Sequence, residues 1–154
     1  MAETKDFSHI DREGASRMVD VGGKPVVRRV ARAAGYISLA PETVELLKEK
    51  ALPKGDALNT ARIAGVMAAK RTPDLIPLCH GINLSHVDLE FTVKENEVEI
   101  LAVAQAADRT GVEMEALTAV SVAALTLYDM CKAVDKGMEI GGVKLLEKTK
   151  SPPE

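Results

Sequence analysis

Aromatic residues are nearly missing from this 154-residue chain: they make up 3% of it, and there is no Trp. Base-stacking platforms and aromatic-anchored interfaces are therefore poorly supplied. Cysteine is scarce too, with Cys79 and Cys131 far apart and outside any CxxC pattern. That fits a reducing compartment more than a disulfide frame, and it excludes a sulfur-rich zinc site within one chain. A net charge of -3 gives no basic field, which argues against nucleic acid as a partner. No stretch approaches the roughly 18 uninterrupted apolar residues of a membrane helix. The polar start "MAETKDFSHIDREG" lacks an apolar leader segment, so a cytoplasmic protein with no membrane partner is expected. Neither G-x-x-x-x-G-K-[ST] nor G-x-G-x-x-G occurs, which excludes a P-loop or Rossmann nucleotide site.

What is present is the composition of one ordinary globular domain, 46% apolar and 28% charged. The sequence divides into a flexible arm over residues 1–14, a single domain over 15–148 and a flexible tail over 149–154. In "KPVVRRVARAAGYISLA", Val26, Arg28, Val30, Arg32, Ala34 and Tyr36 alternate with Val27, Arg29, Ala31 and Ala33, the period of a strand. "PETVELLKEK" predicts a short helix opening on Pro41. "DALNTARIAGVMAAKR" predicts another, capped by Asp56, with Leu58, Ala61, Ile63, Val66 and Ala69 inward and Thr72-Pro73 as its stop. "LSHVDLEFTV", "KEN" and "EVEILAVAQA" make a hairpin with Val87, Leu89, Phe91 and Val93 inward. A long helix then runs from Val112 to a stop at Gly137, and "MEIGGVKLLEK" supplies a last strand. The order predicts an α+β ferredoxin-like βαββαβ sandwich, an antiparallel sheet with helices on one face. The other, partly apolar sheet face needs a cover, for which self-association is the economical solution.

Several polar groups have chemical potential. Glu113 and Glu115 either favour the positive end of the long helix's dipole or, if extended there, converge as paired carboxylates. Asp129 and Lys132, three apart, are either a solvated ion pair or a half-buried one with perturbed pKa values, the reading their apolar neighbours favour. Lys54, in the turn "PKGD", precedes a helix start and stands with Arg29 among the candidate anion-binding residues. If helical, Glu115 lies about 21 Å from Asp129 along the axis. One small substrate cannot span that unless it is elongated or a second subunit joins the two ends. In "PLCHGINLSHV", Cys79 and His80 read as buried structure or as a catalytic loop; His80 and His86 are poorly spaced to share a metal, and no metal site is expected.

Taken together, "TARIAGVMAAKRTPDLIPLCH", "TGVEMEALTAVSVAALTLYDMCKAV" and "IGGVKLLEK" resemble the cyclic pyranopterin monophosphate synthase family of molybdenum cofactor biosynthesis, from residue 18 to about 148. The resemblance implies a homohexamer, a trimer of dimers with active sites at a subunit interface. It implies conversion of (8S)-3',8-cyclo-7,8-dihydroguanosine 5'-triphosphate, a cyclised dihydro-GTP, to cyclic pyranopterin monophosphate with release of pyrophosphate. No redox cofactor is implied; magnesium with the triphosphate is compatible with it. Asp129, Lys132, Lys54, His80 and Glu113 match the catalytic positions, and Leu78, Cys79, His80, Met114, Glu115 and Arg29 the substrate-binding ones, with Arg29 toward the phosphates. The chain departs from the family at Gly81, where many members have Pro, and in ending "KTKSPPE" where many continue with a Gly-Gly-Lys-Ser-Gly stretch. A non-catalytic ligand-binding module and a metal-dependent hydrolase are the competing function classes.

Overall fold

The alternation of "VRRVARAAGYIS" becomes β1, Val27–Ser38, in which Ala31, Ala33 and Ile37 are fully buried while Arg28, Arg32 and Tyr36 are exposed. The computed structural model describes residues 8–153. After β1 come α1 (Pro41–Lys48), α2 (Ala57–Lys70), the single turn α3 (Thr72–Leu75), the hairpin β2 (Leu84–Val93) and β3 (Glu97–Asp108), α4 (Glu113–Cys131) and β4 (Glu139–Ser151). The strands lie in the order β2-β3-β1-β4, every neighbour antiparallel. The chain is thus α+β, with the strand order that a βαββαβ ferredoxin-like path gives.

The core lies between the sheet and the pair α2 and α4. Leu89, Ile100, Val98 and Ile37 rise from the strands to meet Val120, Leu127 and a run of alanines. α4 is long and apolar enough to cross a membrane, and its inward face, with Ala116, Ala119, Val120, Ala123 and Leu127, belongs to this core. α2 turns a stripe of small residues inward, Ala57, Ala61, Gly65, Ala68 and Ala69, which lets it approach α4 closely. Ile63, expected inward, is 53% exposed, because it lies about 200° around the helix from Ala61. At Gly65 a Cβ would stand 2.6 Å from Leu89 Cδ2 and 3.0 Å from the Ala119 carbonyl oxygen. Gly65→Ala is accordingly expected to destabilise by about 1 kcal/mol net, overpacking exceeding the gain in helix propensity. A lowered urea midpoint at unchanged slope would show it, and a raised midpoint would contradict it.

The helix closes before Thr72-Pro73 as expected, α2 ending at Lys70, and Pro73 sits in the first turn of the separate α3. Two boundaries differ from expectation. α4 stops at Cys131, not Gly137, because the Asp135 carboxylate pulls the chain toward the β1–α1 corner and takes the Gly137 N–H at 3.1 Å. β4 runs to Ser151, three residues into the stretch read as a tail, with Val30, Arg29 and Arg28 opposite Thr149, Lys150 and Ser151. Its polar edge carries no inward apolar alternation to announce a strand. Of the expected arm, residues 1–7 lie outside the described residues. The rest is not featureless: Ile10 bridges Ser16, and the Asp11 carboxylate accepts the N–H groups of Glu13 and Ala15.

Candidate active site

The helix α4 carries candidate residues at both ends. At its C-terminal end Asp129 faces outward, and two lysines converge on its carboxylate: Lys54 Nζ is 2.8 Å from Oδ2 and Lys132 Nζ 2.9 Å from Oδ1. Lys132 arrives from the next turn of the same helix. Lys54 arrives from the loop after α1, where Gly55 at φ +97° permits the left-handed turn. All three side chains are about half exposed, so the half-buried pair expected from the apolar neighbours is not what forms; Leu125, Tyr128 and Val134 are themselves exposed. The pKa perturbation is present but has another cause. The hydrogen bond from Lys54, then that from Lys132, hold Asp129 down at about 2, and the bond to Asp129 in turn raises Lys132. At any ordinary pH the cluster is one carboxylate between two ammonium groups, a net positive charge presented to solvent.

At the N-terminal end, Glu113 and Glu115 are helical, not extended, so they diverge and do not form a carboxylate pair. Glu113 turns to Lys148 on β4, 3.4 Å away. Glu115 turns inward and is 1% exposed, and neither of its oxygens has a hydrogen-bond partner among the described residues. Burial pushes its pKa up to about 7, with the negative charges of Glu113 and Asp108 adding to the effect. Met114 sits between them, partly buried.

The loop between α3 and β2 closes on this end. Cys79 is partly buried, and its thiol is raised by burial first and then by the fields of Glu115 and Glu113, which makes it a poor nucleophile. Cys131 is inert for the same main reason, burial lifting its thiol to about 11. Leu78 and His80 are partly buried beside Cys79. The His80 ring donates from Nε2 to the Val19 carbonyl oxygen, holding the segment before β1 over the loop and leaving Nδ1 available. His86 is exposed on the open sheet face, opposite Gln105, and among the described residues no group of three or more His, Cys, Asp or Glu side chains is placed to hold a metal.

Arg29 joins the same end from β1. Its guanidinium donates to the carbonyl oxygens of Asp108 and Arg109, and it lines a cleft of about 200 Å³ with Gly111, Glu113, Lys148 and Lys150. The structure therefore sorts the sequence candidates into two groups. Asp129, Lys132 and Lys54 meet; so do Arg29, Glu113 and the segments 78–80 and 114–115. The groups stand at opposite ends of α4. Sequence reasoning missed Lys148, which pairs with Glu113, and Asp135 and Thr43, which lie behind the first group.

The chain matches the MoaC family over residues 18–151. It is 63% identical over 143 residues to the cyclic pyranopterin monophosphate synthase of Streptomyces avermitilis, spanning 93% of this chain and 84% of that relative. Identity to the cyclic pyranopterin monophosphate synthase of Peptoclostridium acidaminophilum is 54% over 144 residues, 94% of this chain and 92% of that one. The molybdenum cofactor biosynthesis bifunctional protein of Chlorobaculum tepidum is 56% identical over 144 residues, which span 94% of this chain and 46% of that protein.

Proposed function

Since this chain belongs to the MoaC family, we infer that its function is cyclic pyranopterin monophosphate synthesis for the molybdenum cofactor, a lyase reaction, with the Lys54–Asp129–Lys132 cluster as its acid-base centre. The substrate is the cyclised dihydro-GTP. The observation that carries the residue assignment is the convergence of two lysines on one carboxylate, one from the next turn and one from 75 residues upstream of Asp129. Closing the cyclic phosphate requires a sugar-derived hydroxyl to attack the innermost phosphorus. One P–O bond forms, the P–O bond to pyrophosphate breaks, and the hydroxyl proton must leave. Opening and reclosing the rings adds further proton transfers, so no redox cofactor enters; magnesium with the triphosphate is compatible with this chemistry. Two fixed ammonium groups stabilise the developing phosphate charge and supply protons, while ionised Asp129 keeps them in place.

The other end of α4 supplies binding. Arg29 takes the phosphates; Leu78, Cys79, Met114 and Glu115 shape the pocket; Glu113 and the free Nδ1 of His80 act as proton-transfer groups. Within one chain the two ends are about 21 Å apart. The reading that joins them is a cytoplasmic homohexamer, a trimer of dimers, in which one subunit's Asp129 end meets the Glu115 end of another. Such packing also covers apolar surface that the sheet leaves open, where Tyr36 and Leu146 are exposed.

The test uses freshly made cyclised dihydro-GTP, following pterin product and pyrophosphate together. Asp129→Asn and Arg29→Ala are each expected to be nearly inactive alone. Unfolded and reassembled together in equal amounts, they should regain about a quarter of wild-type activity, because one site in four draws both intact halves from different chains. A mixture no better than its parents would remove the shared site. A folded wild type that releases neither product would favour the ligand-binding module.

A further inference from the structure

Two corners of the chain flank the lysine cluster, the one from β1 into α1 and the one from α4 into β4. The buried side chain of Asp135 joins them, beside the Ser38 hydroxyl, which donates to the Glu139 carbonyl oxygen and accepts the Glu139 N–H. Ala40, at the N-cap of α1, has no side chain that can cap the helix. Asp135, from the other corner, does so in its place: Oδ2 accepts from the Ala40 N–H at 2.8 Å and from the Thr43 hydroxyl at 2.9 Å. Its Oδ1 accepts from the Gly137 N–H at 3.1 Å. Asp135 is 8% exposed and Thr43 2%. Burial works to raise the Asp135 pKa, yet the bonds from Ala40, Gly137 and Thr43 together outweigh it and hold the carboxyl below its ordinary value. A carboxylate at a helix N-terminus is also favoured by the helix dipole.

The α4–β4 corner carries Lys132, and Lys54 lies beyond the far end of α1, the helix that starts at the other corner. Lys132 lies three residues before Asp135, in a turn closed by the Asp135 N–H on the Cys131 carbonyl oxygen and by Lys136 Nζ on the Lys132 carbonyl oxygen. Lys54 follows α1 through a turn pinned by buried Leu52, whose carbonyl oxygen accepts the Gly55 N–H at 3.0 Å. The lysine bonds to Asp129 are exposed and cannot hold this geometry themselves, since such pairs are weak and their side chains mobile. The restraint lies behind them, where α1 is fixed to the end of α4 away from water.

We propose that Asp135 is a positioning residue for the reaction: by clamping the start of α1 to the turn after α4, it sets Lys54 and Lys132 on either side of Asp129. The proposal rests on the assignment of that cluster to catalysis, and its test separates the two. The full-length protein, without substrate, is labelled for carbon-detected NMR and the Asp129 carboxyl is titrated in the parent, Asp135→Asn and Thr43→Val. Asn keeps one acceptor oxygen and turns an NH2 toward the N–H of Gly137 or of Ala40, neither of which can accept, which opens the clamp. Val deletes one of its three bonds.

In Asp135→Asn the Asp129 titration should rise by about one unit or more toward its ordinary value as the lysines withdraw, with a smaller rise in Thr43→Val. The kcat should fall about 10- to 100-fold with KM little changed, the signature of misplaced catalytic groups. A merely structural role would lower the melting temperature and leave the Asp129 titration alone, and that result overturns the proposal. If Asp135→Asn does not fold, Thr43→Val decides alone, since it keeps the carboxylate and two of its bonds. A shifted titration at unchanged turnover would leave the clamp standing and remove the cluster from catalysis, a failure of the functional assignment and not of the geometry.

Discussion

Asp129→Asn is expected to lower turnover by about three orders of magnitude, the middle of the range for loss of an acid-base group, while leaving the unfolding midpoint nearly unchanged. The replacement keeps the shape and removes the charge. Lys54 and Lys132 are then two ammonium groups on one neutral amide, and the Asn NH2 turns a donor toward one of them. That lysine must leave. Stability should hardly respond, because all three side chains are about half exposed and pairs of that kind contribute little to folding. Lys132→Gln should cost a comparable factor, and the double variant scarcely more than either alone, since groups that act as a unit are not additive. Single-turnover measurement of pterin and pyrophosphate would check it; multiplicative losses in the double variant would mean that the two groups act separately. Because the lysines hold Asp129 ionised down to about 2, any loss of activity between pH 5 and 8 must come from another group.

The second large effect concerns Glu115 and is a matter of stability. Its pKa stands at about 7 in the fold against 4.5 when unperturbed, raised chiefly by burial. The sign follows from the raised folded value: neutral Glu115 is tolerated, and below pH 4.5 nothing is lost. As pH climbs from there through 7 the folded state must either keep a proton that the unfolded chain gives up or bury a charge, and stability declines by on the order of 3 kcal/mol before levelling. Glu115→Gln, which imitates the neutral form, should remove that decline. The variant should match the wild type near pH 4.5 and exceed it increasingly up to about pH 8, at one protomer concentration so that assembly does not intrude. Parallel stability curves would show that the carboxylate finds a partner outside the single chain. An acid kept where it destabilises the fold is what a site retained for binding, not for folding, looks like.

Much of this was legible in the sequence, for reasons that differ from element to element. The period of two in β1 and the hairpin survives folding because one sheet face is covered by helices, so Ala31, Ala33, Ile37 and Leu89 had to point inward. The i, i+3 spacing of Asp129 and Lys132 needed only a helix to bring them together. The turn before α2 marked Lys54 as an anion-binding candidate, and its catalytic role came from the family resemblance; no local pattern ties it to Asp129, 75 positions away. The end of α4 was misread because Gly137 looks like a helix stop, whereas a carboxylate two residues earlier had already drawn the chain into a contact with Thr43, 92 residues upstream. Such clamps leave no periodic trace. The last residues of β4 were misread for the opposite reason: "KTKS" is polar because it borders solvent at the sheet edge, and its pairing with β1 is carried by backbone groups that every sequence possesses.

The length of α4 also decides where this chain can gain or lose residues. Each residue inserted in a helix turns everything beyond it by about 100° and advances it by about 1.5 Å. One insertion between Glu115 and Asp129 would keep every side chain of both groups and still swing Asp129 away from Lys54, destroying the phase between the ends. The 19 residues of this helix act as a gauge block. Its residue count is as much a part of the chemistry as the acids and lysines at its ends, and a functional chain should tolerate many substitutions on its exposed side but no change in number.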